Sequence, residues 1–264
     1  MRTTGFSLLA AMTLTAGFVW AQQAQQKAAP SAAPVAKGTM PKKEYDAYMA
    51  VVNEQEPDKR VKKADEFITT YADAEPQVKS LVLYMAAEAS ERKGDSIKAM
   101  AYGQSALEAD PKNFEAMLLL SAELARGTKE NDLDKVEKLA KAEKLATDAI
   151  TGLPAATKPN PKTSDSTWEN YKKDQIAQGH VDLGMIALVR KKPDLAVAEF
   201  KQAVDGASTP DPLPMLRLAD AYNKDNKPDD ALAVVNKVLA MPDLNPQLKQ
   251  FAENQKSIAQ SKKK

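Results

Sequence analysis

Cysteine is absent from the 264 residues, and histidine occurs once, at position 180. Disulfide frameworks, thiolate metal sites, cysteine nucleophiles and cysteine-borne lipid anchors are thereby excluded. Glycine is thin, with ten residues scattered singly, so no glycine-rich phosphate cradle can be built. Aromatic residues make up 6% of the chain, and alanine, leucine, lysine and glutamate dominate. That mixture favours helix and leaves strands little to work with. An excess of one charge is also missing, with 37 Lys and Arg against 36 Asp and Glu. A surface built to hold a phosphate backbone needs a basic excess, so nucleic acid is not an expected partner. The Lys262–Lys264 tail and the pairs Lys42–Lys43 and Lys172–Lys173 read as solvated positions.

Long apolar runs are confined to the start. "MRTTGFSLLAAMTLTAGFVWA" has one arginine, an apolar stretch from Phe6 to Trp20, and Val19-Trp20-Ala21 at its end. This is the layout of a secretory signal over residues 1–21, with the cut before Gln22. An uncleaved anchor is the other reading, although the run is shorter than the ~20 residues a membrane crossing needs. The implied destination is the periplasm or the exterior, with no integral membrane segment in the mature chain. Residues 22–39, rich in Ala, Gln and Pro, have too little apolar surface to offset the entropy of ordering and read as a flexible leader.

What is present is repetition. "KKPDLAVAEF" starts at 191 and "NKPDDALAVV" at 226. Proline suits the first turn of a helix, and Asp194, Asp229 and Asp230 just after it suit the positive end of the helix dipole. An amphipathic stretch lies upstream of each phrase, "HVDLGMIALVR" at 180–190 and "MLRLADAYNK" at 215–224, so each unit reads as helix, short turn, helix. Two antiparallel helices approach closely only where small side chains face each other. Twelve residues separate Gly184 from Ala196, Ala219 from Ala231, Ala87 from Ala99 and Val52 from Ala64; Ser121 and Ala142 are separated by twenty-one, an insertion of nine.

With these residues the stretch 45–244 resembles the tetratricopeptide repeat (TPR) family, whose unit is a helix pair of about 34 residues. The best-matching units carry Leu83, Ala86, Ala87, Ala99, Gly103, Ala106 and Pro111; His180, Leu183, Gly184, Ala196, Phe200 and Ala203; and Met215, Leu218, Ala219, Tyr222, Ala231, Val235 and Val238. The large first-helix aromatic of the family is Tyr48 in the first unit, but Leu83, Met117, His180 and Met215 in the others, and Val52 is bulky for its slot. The resemblance implies an all-α solenoid of about five TPR-like helix pairs with a C-terminal capping helix. The expected layout is pairs one to three over 40–153, a Pro-rich loop or linker over 154–166, pairs four and five over 167–246, and a capping helix with a Lys-rich tail over 247–264. "GTKENDLDKVEK" at 127–138 reads as extra helix plus turn, and Ser166 with Glu169 has the spacing of a capping box.

Chemistry is hard to find. His180 occupies a position where the family packs an aromatic ring, which makes it a core histidine, and alone it cannot build a zinc site. The carboxylates Glu54, Glu56 and Asp58, and Asp229 with Asp230, fall in turns or helix starts rather than in a cleft that could separate their pKa values. "NDLDKVEKL" lacks the glycine and distal glutamate of a calcium loop. No enzyme, cofactor or metal is expected.

Binding remains. The resemblance implies a superhelix with the first helices on its concave wall. Registering the units places Met49 and Asn53, Tyr84 and Glu88, Leu118 and Ala122, Val181 and Met185, and Leu216 and Asp220 on that wall. As a groove it would be mainly apolar with an acidic edge; several of the positions read equally well as core. Chaperone-binding members of the family hold terminal carboxylates with lysine and asparagine there, and only Asn53 fits that pattern. The expected ligand is an apolar or amphipathic peptide or partner helix, with Met49, Met85 and Met185 adapting to its shape. The leading reading is an exported, non-enzymatic adaptor or scaffold for protein partners in the cell envelope. The alternatives are a periplasmic carrier of a lipid or small apolar ligand, and a structural subunit of an outer-membrane or cell-wall assembly complex.

Overall fold

The two KPD phrases do open helices: Pro193 and Pro228 are first residues, with the aspartates in the first turn. In the computed structural model, residues 40–263 are described, and the signal and leader expected over 1–39 lie outside them. The helices are α1 (Lys42–Val52), α2 (Pro57–Thr70), α3 (Pro76–Arg92), α4 (Ser96–Ala109), α5 (Phe114–Gly127), α6 (Lys135–Gly152), α7 (Asp165–Val189), α8 (Pro193–Gly206), α9 (Pro212–Lys224), α10 (Pro228–Leu239) and α11 (Pro246–Lys262), with one 3-10 turn at Leu153–Ala155. No strand occurs among the described residues. None of these helices is long and apolar enough to cross a membrane.

Proline supplies the first residue of six helices, where its missing N–H costs nothing. Side chains cap others: the Asp95 carboxylate accepts from Lys98 N at 3.1 Å, and Asn113 Oδ1 from Ala116 N at 2.9 Å. The turn inside three pairs is the same object. Gly94, Lys191 and Asn226 each adopt a left-handed backbone, with φ of 76°, 59° and 57°. The next residue's N–H returns to the preceding helix, Asp95 to Ser90 O, Lys192 to Ala187 O and Lys227 to Tyr222 O, at 2.9–3.0 Å. This is a Schellman closure, and it reverses the chain in three residues.

The pairs α1–α2, α3–α4, α5–α6, α7–α8 and α9–α10 stack in chain order, and α11 covers the last one. Ala87, Ala99, Ser121, Ala142, Ala196, Ala219 and Ala231 are all fully buried at the crossings. Gly184 shows why size matters there: a Cβ on it would fall 2.6 Å from the Phe200 ring. The core runs along the stack as linked clusters, from Tyr48, Phe67 and Met85 through Ala125 and Ile186 to Leu216, Val235 and Leu248. The capping helix is tied by Asn223, whose Nδ2 donates to Gln255 O at 3.0 Å and to Gln255 Oε1 at 2.8 Å.

One expectation about boundaries changes. Helix α7 starts at Asp165, capped by Ser164, whose Oγ accepts from Thr167 N at 3.1 Å. Ser166 is already helical, and Glu169 pairs instead with Lys172 at 2.9 Å, so no capping box forms at Ser166. The insertion at 127–138 divides into a loop and a longer α6. Glu130 pins that loop to Lys191 at 2.8 Å and Lys135 at 3.1 Å. The proline-rich segment folds back on α7: Trp168 Nε1 donates to Ala156 O at 3.3 Å, Lys172 to Pro154 O at 3.3 Å, and Lys158 pairs with Asp165 at 2.5 Å. Helix α7 packs on α5 and α6, so stacking continues across this segment.

Candidate functional site: the wall of first helices

The first helices touch one another directly, α1 with α3, α3 with α5 and α5 with α7. The second helices do not pack together in this way among the described residues. Long side chains span them, with Tyr102 Oη donating to Asp65 at 2.8 Å and Lys141 reaching Gln104 at 3.5 Å. From α1 to α7 the first helices therefore lie closer to one another than the second helices do, and the face they form is the candidate wall.

The ten residues registered on that wall do not share one fate. Leu118, Val181 and Leu216 are interior, 3%, 4% and 0% exposed, and contribute to the core. Met49, Tyr84, Glu88, Ala122, Met185 and Asp220 are half-buried along the wall, and Asn53 is exposed. The apolar contribution is therefore smaller than the sequence register implies. Met85 is also core, leaving Met49 and Met185 as the accessible methionines among the three.

Charged side chains take the space between. Arg60, buried at the start of α2, donates to Glu54 O at 2.6 Å and to Glu88 Oε2 at 3.0 Å, joining the first pair to α3. Burial lowers the Arg60 pKa, partly opposed by Glu88. Arg126 on α5 bridges Glu123 at 2.6 Å and Glu91 of α3 at 2.9 Å. Glu123 also accepts from Ser96 Oγ at the start of α4. On α7, Asp182 is 1% exposed; its Oδ1 accepts from Gln178 at 2.9 Å, and its Oδ2 has no hydrogen-bond partner among the described residues. Toward α5, Tyr171 stacks on Trp168 with ring centroids 5.0 Å apart and donates its hydroxyl to Glu115.

Burial is the main force on these acids. It pushes the Glu123 carboxyl up to about 7, against the pull of Arg126 and helped by neighbouring Glu91. It raises Asp182 well above its ordinary value and lifts Glu115 as well, where the Tyr171 hydroxyl opposes it. Burial likewise raises the Tyr84 and Tyr171 phenols. His180 is half-buried, with Nδ1 2.8 Å from Glu199 Oε2, joining α7 to α8. No group of three or more metal-ligating side chains occurs among the described residues.

The ionic seam escaped the sequence register, although a signal for part of it was there. Extending Tyr84 and Glu88 by one more helical turn lands on Arg92, and extending Leu118 and Ala122 lands on Arg126. Arg92 Nε and Nη2 are buried without a hydrogen-bond partner among the described residues. Asp182 and Glu123 lie off that register, and nothing in their spacing distinguishes them from solvated helix charges.

No protein-family model matches the chain, and no curated protein matches it in sequence. Among solved structures it is similar to a thermophilic TPR protein from Thermus thermophilus, at 19% identity and a TM-score of 0.57, over 80% of this chain and 98% of that one. It is also similar to the assembly chaperone of RpL4, Acl4, at 13% identity and a TM-score of 0.47, over 85% of this chain and 98% of that one. Likeness at such identity concerns the backbone, and it agrees with the helix pairs, their turns and their small-residue crossings: residues 40–263 have the all-α, TPR-like helical-repeat fold.

Proposed function

We propose that the protein is a non-enzymatic adaptor or scaffold that holds protein partners against the wall of first helices. The observation that carries this reading is the wall itself. Five stacked pairs present Met49, Asn53, Tyr84, Glu88, Ala122, Met185 and Asp220 along one side, mixing half-buried apolar and charged groups. Such a surface suits an amphipathic segment that lays apolar anchors beside Tyr84 and Met185 and polar groups beside Glu88 and Asp220. The near balance of 37 basic against 36 acidic residues supports protein over nucleic acid as partner.

The cellular setting belongs to the same proposal and rests on residues 1–21 alone. Cleavage before Gln22 would deliver the repeat stack to the cell envelope. Sequencing the mature N-terminus tests this, with Gln22 as the expected first residue and an intact Met1 as the contrary result.

The binding reading is tested by photo-crosslinking in intact cells from a reactive residue at Met185 or at Tyr84, with exposed Gln202 of α8 as the outer control. Partner adducts are expected from the first two positions and not from the third. Equal adducts from all three, or none from the wall, would refute it. Extractable lipid in natively purified protein would point instead to a carrier.

A further inference from the structure

Four acidic and basic side chains from three successive first helices meet at the middle of the stack, and the binding reading does not use them. Glu91 comes from α3, Glu123 and Arg126 from α5, and Asp182 from α7. Arg126 holds Glu123 at 2.6 Å and Glu91 at 2.9 Å. Asp182 adds a third carboxyl that acts on Arg126 electrostatically and retains one buried oxygen without a hydrogen-bond partner among the described residues. From α4 the Ser96 hydroxyl donates to Glu123, and from α9 Arg217 lies within electrostatic range of Arg126. Helix α6 meets this seam through apolar Leu139 and Ala142, packed with Ala125 and Ile186.

Three carboxyls around Arg126 cannot all be ionised at low cost when two of them, Glu123 and Asp182, are buried, although Arg126 itself reaches solvent and Glu91 is half-buried. A proton on Glu123 turns its repulsion of Glu91 into a hydrogen bond, and a proton on Asp182 removes an uncompensated buried charge. We propose that Glu91, Glu123, Arg126 and Asp182 form a proton-operated clasp, drawing α3, α5 and α7 together when protonated and easing them apart when the protons leave. The proton travels to solvent as the seam loosens, and no other reactant is needed. This stands apart from the adaptor reading, because the clasp works whether or not the wall holds a partner.

The direction follows from linkage. A carboxyl whose pKa is raised in the packed state binds its proton more tightly there than in the opened state. The packed state is then favoured at acid pH and loses ground as pH rises from the ordinary carboxylate range through about 7, where Glu123 is half ionised in the packed state and fully ionised in the opened one. Within that window each such proton changes the opening constant by up to about tenfold per pH unit.

The test uses the full chain, with thermal melting and small-angle scattering between pH 5 and 8. The melting temperature is expected to fall, and the radius of gyration to rise, as pH increases through about 7. In Glu123→Gln the neutral amide imitates the protonated acid, so the Glu123 share of the fall should vanish and the slope become shallower; Asp182→Asn should remove the other share. A Glu123→Gln profile parallel to that of the unsubstituted chain, or one radius of gyration at both ends of the range, overturns the proposal. Carboxyl-carbon NMR on the unsubstituted chain needs no substitution. Glu123 is expected to ionise between pH 6 and 8, and ionisation below pH 5 overturns the proposal.

Discussion

Gly184→Ala adds one methyl group at the α7–α8 crossing and tests the packing logic of the stack. The new Cβ would lie 2.6 Å from Phe200 Cε1, 2.7 Å from Cδ1 and 2.8 Å from Cζ. Carbon pairs are at ease near 3.5–4.0 Å, so the ring must retreat by about an ångström. Phe200 has little room to do so, being fully buried among Val181, Ala196, Val197, Ala203 and Leu218. Overpacking of this kind costs about 1–3 kcal/mol, while replacing a mid-helix glycine by alanine returns about 1 kcal/mol of helix propensity. The net loss should therefore be up to about 2 kcal/mol, read as the shift in urea midpoint by far-UV circular dichroism. The steric part is isolated by making the same change in a Phe200→Leu background, where the obstacle is gone and alanine should be neutral or stabilising. The interaction energy of that cycle should be about 1–3 kcal/mol, and additivity within about 0.5 kcal/mol would refute the argument. Gly103→Ala is the control. Its Cβ would meet Leu120 at 3.1 Å, and a leucine side chain can yield, so this variant should keep most of the propensity gain.

In a Glu130→Gln background, which removes the ion pair to Lys191, Lys191→Gly should stabilise the chain by about 0.5–1 kcal/mol in denaturant unfolding, because lysine at φ 59° bears a strain that glycine avoids. Asn113→Ala removes the α5 cap and the donor to Ser80 Oγ, 2.9 Å away and buried, so a loss of about 1–3 kcal/mol is expected by the same assay. Asn223→Ala should free α11 ahead of the rest, seen as early amide exchange over Pro246–Lys262 at unchanged protection of α3 and α4. If Tyr84 and Met185 anchor the partner, their joint replacement by alanine should weaken binding by at least tenfold in calorimetry, with unchanged affinity as the contrary result.

The repeat architecture was legible because it depends on few, local rules. Small residues twelve positions apart, prolines opening helices and acids behind them suffice to announce the pairs 184–196 and 219–231, and the crossings carry those residues fully buried or in close contact. Depth along the registered positions was not legible. Periodicity says that Leu118, Val181 and Leu216 face the same way as Met49, yet not that neighbouring helices press closely enough to enclose them. The start of α7 was misjudged because serine at 164 and at 166 offers the same chemistry, and the extended backbone at Ser164 decides between them. The ionic seam was least visible. In one dimension Glu123 and Arg126 are an ordinary i, i+3 pair; Glu91 and Asp182 join them only once three helices have been stacked.

The order of contacts along the stack also has a mechanical side. Each helix of this chain leans chiefly on its immediate neighbours, and the links between pairs run mainly from the second helix of one pair to the first helix of the next. A pulling force applied at the two ends would thus be carried in series, pair after pair, as in a coil spring. Stretching would first widen the gaps between pairs and only later unwind a helix, so the molecule can lengthen elastically before it gives up any of its turns.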